Sequence, residues 1–281
     1  KGATSWFQLF GFGIQPVELA KGIVIILVAK YLSTYHRRLH SFWSIVFSGL
    51  PVFIIAGLTL IQPDFGSASV ILAIWLFMII LGGIRLIHGM YLLVLGGILG
   101  STLWFVVFEA YQKQRVISFL DPMSDPLGAG YNALQSMQSV ASGNILGEGV
   151  SPEAVNAVPE VHTDFFFAGF SQGWGFIGVS VYFILILIIF WRLIILALEI
   201  KDIFGRMIVL GVMVALLFQT TINVGMNIGV LPITGVPLPF MSYGGSSMVG
   251  FFLMAGLVLS VQKHRQSKGT VFMTDTHDIF G

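Results

Sequence analysis

FFFAGFSQGWGFIGVSVYFILILIIFWRLIILAL, from Phe165 to Leu198, is a block of about 34 residues with a single charge, Arg192. A helix needs only about 20 apolar residues to cross a hydrocarbon layer of ~30 Å. The block is therefore a membrane span with length to spare. Gly173 and Gly175 divide it, so we expect a tilted or partly inserted front segment followed by the span proper. Immediately upstream the polarity reverses. Val161-His162-Thr163-Asp164 closes a polar interruption that begins at Tyr111. Counting Glu109 just before it, this stretch holds seven of the thirteen acidic residues of the chain: Glu109, Asp121, Asp125, Glu148, Glu153, Glu160 and Asp164.

The rest of the chain has the same character. Of its 281 residues 56% are hydrophobic and only 10% charged, with a mean hydropathy of +0.90, whereas soluble domains carry about 25% charged residues. Apolar runs of spanning length occur near 16–35, 42–61, 65–83, 89–108, 170–198, 205–227 and 238–261. Seven spans alternate the loops between two sides. Arg37, Arg38, Arg85, Arg192, Lys201, Arg206, Lys263, Arg265 and Lys268 fall on one side, and Lys1, Lys113 and Arg115 on the other. The basic side is cytoplasmic by the positive-inside bias, so the acidic loop faces outward. A net charge of +1 offers no basic face for nucleic acid, and the absence of cysteine excludes thiolate chemistry. The chain starts at Lys1 without the features of a signal peptide, as a chain truncated at its amino terminus would.

Within the loops, Gln62-Pro63-Asp64-Phe65-Gly66 reads as a tight outer turn with proline breaking the helix. Residues Tyr131 to Val140 follow an amphipathic helical pattern, which predicts a short helix on the membrane surface. Leu231-Pro232-Ile233-Thr234-Gly235-Val236-Pro237-Leu238-Pro239 excludes regular helix, and Ser242 to Ser247 is expected to place small and hydroxyl residues inside the last span.

Each candidate site residue has a plain reading beside a functional one. Glu18 and Lys21 are three apart, hence on one face at the outer end of the first span. They are either a self-neutralising pair or the wall of a polar cavity for a charged ligand. Asp164, at the edge of an apolar block, is either a general base or a cap for the next helix. Lys113 and Arg115, outside against the charge bias, either bind an anionic headgroup such as a pyrophosphate or pair with Glu109 and Asp121. His36 and His88 sit beside basic residues and read as interfacial. No spacing of histidines or carboxylates matches a dedicated metal site.

Taken in order, several stretches resemble one known family. They are Gly2-Ala3 with Trp6, Gln15-Pro16-Val17-Glu18-Leu19-Ala20-Lys21, Gln62-Pro63-Asp64-Phe65-Gly66, Gln114-Arg115-Val116, Asp121-Pro122 followed by Asp125 to Tyr131 and Gln135-Ser136, Pro159 to Phe165, and Gly235-Val236-Pro237-Leu238-Pro239 with Ser242-Tyr243-Gly244-Gly245-Ser246. Together they cover nearly the whole chain and resemble the SEDS family (RodA, FtsW, SpoVE), leaning towards the RodA type.

The resemblance implies an all-α polytopic membrane protein with about seven of a probable ten spans. Residues 1–268 would form one transmembrane domain, with 109–164 as its extracytoplasmic loop and 269–281 as a cytoplasmic tail. It implies a peptidoglycan glycosyltransferase of the bacterial inner membrane, active on the outer face, that polymerises lipid II beside a class B penicillin-binding protein and contacts membrane lipid but no nucleic acid. The family's essential aspartate falls on Asp164, and its Glu and Lys fall on Glu18 and Lys21. Asp64, Lys113, Arg115, Asp121, Gln135, Ser136, His162, Thr163, Ser242 and Tyr243 are the further residues expected to bind substrate. The departing pyrophosphate needs positive charge, from Arg115, Lys113 and Lys21 or from a divalent cation, Mg²⁺ or Mn²⁺. Ser5, Val17, Gln172-Gly173 and the short stretch between Gly149 and Pro159 depart from the family pattern. Because of them a non-catalytic scaffold stands beside a lipid II flippase as an alternative.

Overall fold

The computed structural model describes residues 7–9, 12–35, 41–102, 104–105, 110–121, 129–149 and 161–274. Among these the chain forms nine helices and one two-stranded hairpin. The helices are α1 (Pro16–Tyr35), α2 (Phe42–Ile61), α3 (Phe65–Leu81), α4 (Leu86–Thr102), α5 (Ala110–Leu120), α6 (Ala129–Ser142), α7 (Phe166–Glu199), α8 (Ile203–Asn227) and α9 (Gly245–Thr274). The hairpin, β1 (Phe7–Leu9) with β2 (Phe12–Ile14), is antiparallel with Phe7 opposite Ile14. The alternation in Phe7-Gln8-Leu9 and Phe12-Gly13-Ile14 is only three residues long in each strand, too short to be read as a strand from sequence.

By length and composition α2, α7, α8 and the part of α9 from Gly245 to Arg265 can cross a membrane. Helices α3 and α4 are apolar but 17 residues long, at the short end of what a bilayer requires. Helix α1 has 20 residues but carries Glu18, Lys21 and Lys30.

Helix α8 is the axis of the bundle. Two thirds of its span, 67%, is buried inside the protein against 28% for α7, and it packs on α1, α3, α6, α7 and α9. The core lies where α1, α3 and α8 meet, with Ile25, Ile74, Met78 and Val212 almost inaccessible. Gly211 makes this approach possible: a Cβ there would lie 2.8 Å from both Ile25 Cγ2 and Met78 Sδ. Helix α7 instead turns Ile177, Val181, Ile184, Leu185, Ile188 and Trp191 outward, the expected surface of a helix facing lipid.

Two expectations change. The last helix starts at Gly245 rather than 238, because residues 231–244 run without regular structure up to it. Ser242, Tyr243 and Gly244 therefore form a turn outside the helix. Helix α6 exists where the pattern placed it, but it packs against α7 and α8, burying Ala133, Ser136 and Ser139, small residues at helical spacing, with Gly143 just beyond its end. Helix α9 also continues through position 269 to Thr274.

The predicted division of the 165–198 block is a true break. Gly175 has φ 59° and ψ −163° inside α7, a conformation that only glycine adopts readily. The amides freed by the break are met from the loop after α6: Phe176 N donates to Asn144 O (2.9 Å) and Ile177 N to Ile145 O (3.2 Å). In return Glu148 N donates to Gln172 O (2.9 Å) and Gly149 N to Gly173 O (3.2 Å). The loop and the break are one backbone-paired unit.

Candidate active site at the Asp164 turn

Asp164 lies in the turn 161–165 that leads into α7, at the end of the bundle assigned to the outside. Three segments hold this turn. From the 231–244 segment, Ser242 Oγ donates to Thr163 O (2.7 Å) and accepts from Leu238 N (2.9 Å), while Tyr243 N donates to His162 O (2.8 Å). From α8, Asn223 Nδ2 donates to Asp164 O (2.9 Å) and to Val236 O (2.8 Å). Asn227 Nδ2 also reaches Asp164 O (3.3 Å). From α6, Ser136 Oγ donates to Asn227 Oδ1 (3.0 Å). The Asp164 side chain is half-buried and points at Gly235, where a Cβ would stand 3.3 Å from Oδ2. Gly235 has φ 74°, so a side chain is disfavoured there twice over, by backbone conformation and by the carboxylate.

Next to this turn, Asp64 Oδ1 accepts from Ser67 N (2.9 Å) and so caps α3, while Oδ2 accepts from Gln15 Nε2 (3.1 Å). Ser246 Oγ accepts from Gln15 N (2.9 Å) and donates to Gly13 O (2.8 Å). Gly66 is pressed against the Thr234 carbonyl. The 62–66 turn, the hairpin and the 231–239 segment thus form one packed outer floor.

Of the predicted site residues, His162, Thr163, Asp164, Ser242 and, through Asn227, Ser136 are brought together. His162 and Tyr243 are exposed while Ser242 is buried. Gln135 is half-buried on α6. Lys113, Arg115 and Asp121 belong to α5 or its end, which packs on α6. Glu109, Asp125, Glu153, Glu160, Ser5 and His36 lie outside the described residues. Glu18 and Lys21 are buried at 2% and 0% exposure. Lys21 Nζ donates to Glu18 Oε1 and to Gln219 Oε1, both at 2.7 Å. Glu18 Oε2 is buried with no hydrogen-bond partner among the described residues. The departure at Gln172 is seated against an acid: its Nε2 donates to Glu148 Oε2 (2.8 Å).

The sequence reading missed Gln219, Asn223 and Asn227, all at 0% exposure. Their spacing of four in an apolar helix was the available signal, since it lines them up on one face over about 12 Å. The stripe joins the Glu18 and Lys21 pair to the Asp164 turn.

A profile of the FtsW/RodA/SpoVE family, described as cell cycle protein, matches residues 1–267. The chain is 36% identical over 274 residues to the peptidoglycan glycosyltransferase MrdB of Escherichia coli (strain K12), covering 95% of this chain and 72% of that one. It is 34% identical over 266 residues to stage V sporulation protein E of Bacillus subtilis (strain 168), covering 94% and 72%. Among solved structures, a chain from a peptidoglycan synthase complex that coordinates polymerization and crosslinking superposes with a TM-score of 0.79 at 33% identity, covering 94% of this chain and 74% of that one. The rod shape determining protein RodA of Thermus thermophilus superposes with a TM-score of 0.64 at 27% identity, covering 94% and 71%. On the family profile, the relatives and the shared fold, this chain belongs to the SEDS family of FtsW, RodA and SpoVE.

Proposed function

We infer that this multi-pass membrane protein is a peptidoglycan glycosyltransferase that polymerises lipid II, with Asp164 as its general base. The observation that carries the assignment is the Asp164 turn, a half-buried carboxylate pinned at the outer end of the bundle by α6, α8 and the 231–244 segment. Rigid placement of a base is what proton transfer in a transition state requires.

Two lipid II molecules approach from the outer leaflet. An apolar groove of about 530 Å³ between α7 and α8, lined by Phe183, Leu187, Leu217, Val224 and Ile228, suits a lipid tail. The Asp164 carboxylate accepts the proton of the acceptor sugar's 4-hydroxyl as its oxygen bonds to the donor's anomeric carbon. The bond from that carbon to pyrophosphate breaks, releasing undecaprenyl pyrophosphate and leaving an inverted, β-1,4 linkage. Positive charge for the leaving group comes from Lys113 and Arg115 of α5. Among the described residues no three histidines or acids cluster as a metal site. Asp164 alone fits a cation held mainly by substrate phosphates, as Mg²⁺ commonly is. Such an ion, Mg²⁺ or Mn²⁺, would neutralise pyrophosphate charge. The partner is a class B penicillin-binding protein, in keeping with the peptidoglycan synthase complex that contains a similar chain.

The test is lipid II polymerisation in detergent by the full-length protein with its partner rendered transpeptidase-inactive. Wild type makes glycan, and Asp164→Asn loses at least about 10²-fold of the rate, the lower end of what a positioned base supplies. Glycan from Asp164→Asn at the wild-type rate overturns the assignment. Absence of glycan from wild type, where another SEDS polymerase is active, moves the scaffold and flippase readings forward.

A further inference from the structure

The geometry points to Asn227 as the positioning residue that holds Asp164 out of helix α7, with Ser136 of α6 fixing the orientation of its amide. This rests on Asp164 being the base. In an uninterrupted helix, Ala168 N–H would donate to Asp164 O, four residues back. Here Ala168 N turns instead to Phe165 O, three residues back (3.1 Å), and shares its proton with a side chain from another helix. Asn227 Oδ1 accepts from Ala168 N (3.2 Å) while its Nδ2 donates to Asp164 O (3.3 Å). One amide thus bridges the acceptor and donor that the helix would have joined directly, so Asp164 sits just ahead of the first turn of α7 and its backbone is still held.

The direction of this amide is fixed by chemistry. A backbone N–H can only donate, so the Asn227 atom facing Ala168 N must be oxygen. The nitrogen then faces two carbonyls, Asp164 O and Asn223 O (2.8 Å). Ser136 Oγ adds a second donor to Oδ1 and also reaches Asn227 O (3.1 Å). Both amide protons and the amide oxygen are therefore engaged, the single Ser136 proton being shared between Oδ1 and Asn227 O, at 0% exposure. Asn223 extends the arrangement: its amide joins Asp164 O to Val236 O, next to the Gly235 that the carboxylate faces. Seating of α6 is thereby linked to the position of Asp164 through a single hydroxyl.

Asn227→Asp is the discriminating substitution, because it keeps shape and the oxygen facing Ala168 but removes the donor to Asp164 O. Steady-state polymerisation by the full-length protein with its transpeptidase-inactive partner is measured for wild type, Asp164→Asn, Asn227→Asp, Ser136→Ala and the Asn227 and Ser136 double variant. Thermal unfolding in detergent is recorded for each. We expect kcat to fall about 10- to 100-fold in Asn227→Asp and about 3- to 10-fold in Ser136→Ala, the scale of a misplaced catalytic group. KM for lipid II should stay within about twofold of wild type, since Asn227 and Ser136 are both at 0% exposure, which withdraws Ser136 from the residues expected to bind substrate. The double variant should be no slower than Asn227→Asp alone, because both act through one amide. A merely structural role would lower Tm and active fraction without this non-additive kcat pattern. If Asp164→Asn is inactive while Asn227→Asp and Ser136→Ala keep kcat within about twofold, the positioning role is wrong and the base stands. If Asp164→Asn is fully active, there is no base to position and both assignments fall. Should Asn227→Asp not fold, Ser136→Ala decides: wild-type kcat refutes the coupling, and a lowered kcat at unchanged KM supports it.

Discussion

Removing Lys21 should cost far more than removing Lys21 and Glu18 together. The ammonium is at 0% exposure and donates at 2.7 Å to Glu18 and at 2.7 Å to Gln219. Lys21→Met leaves a buried carboxylate whose second oxygen has no partner among the described residues, and Glu18→Leu leaves a buried cation with one amide oxygen. Stranding one member of a buried pair typically costs about 3–5 kcal/mol. At about 2–4 °C per kcal/mol for chains of roughly this size, either single substitution should lower Tm by about 6–20 °C. Replacing the pair by apolar residues removes both desolvation penalties and is often neutral or stabilising by about 1–4 kcal/mol. Against that gain, Gln219 Oε1 loses its donor, at about 1–3 kcal/mol. The double variant should therefore unfold within about 3 kcal/mol of wild type, against about 6–10 kcal/mol for the two single effects added, a coupling of several kcal/mol. Tryptophan fluorescence on heating in detergent provides the assay. Additivity of the two single effects, within about 0.5 kcal/mol, would refute the buried-pair reasoning. Polymerisation by the double variant then separates roles: stability with activity makes the pair a structural bolt, and stability without activity makes it part of the substrate site.

Gly235→Ala combines a φ of 74° with a methyl 3.3 Å from Asp164 Oδ2. It should lose at least about tenfold in polymerisation rate, or ~1.4 kcal/mol of barrier, for a fall in Tm of only a few degrees. Gly147→Ala drives a Cβ into the Gly173 carbonyl at a φ of 82°, so limited proteolysis should open the 143–149 loop in the variant and leave wild type intact. Asp202→Ala deletes the cap to Gly205 N (2.9 Å); Tm should drop in line with about 0.5–2 kcal/mol while the polymerisation rate is unchanged, since this end of α8 is the cytoplasmic one.

Apolar run length made the spans legible, because the bilayer sets one criterion for all of them. It located α1, α2 and α8 to within two residues and failed at α9, where a sequence apolar enough for a span contains Pro239 and a turn through Ser242 and Tyr243. Hydropathy does not register backbone conformation. Asp164 was conspicuous as a carboxylate beside three phenylalanines. Ser136 and Ser242, which help to hold it, were singled out too, but the amides of α8 that hold it were not. Asn223 and Asn227 are uncharged and were absorbed into the average of an apolar helix, although a search for polar residues at spacing four would have found them. The partner of Lys21 was half legible: Glu18 is one turn away, but Gln219 lies 198 residues on and only the packing of α1 against α8 brings it there.

The pairing of residues 144–149 with the break in α7 also determines where this outer loop tolerates changes of length. Asn144 to Phe176, Ile145 to Ile177, Glu148 to Gln172 and Gly149 to Gly173 are read in one register. An inserted or deleted residue between 144 and 149 misaligns pairings on one side of it, and the left-handed glycines 147 and 175 no longer meet. Residues 144–149 therefore act as a ruler for this loop, and related chains should keep its length there.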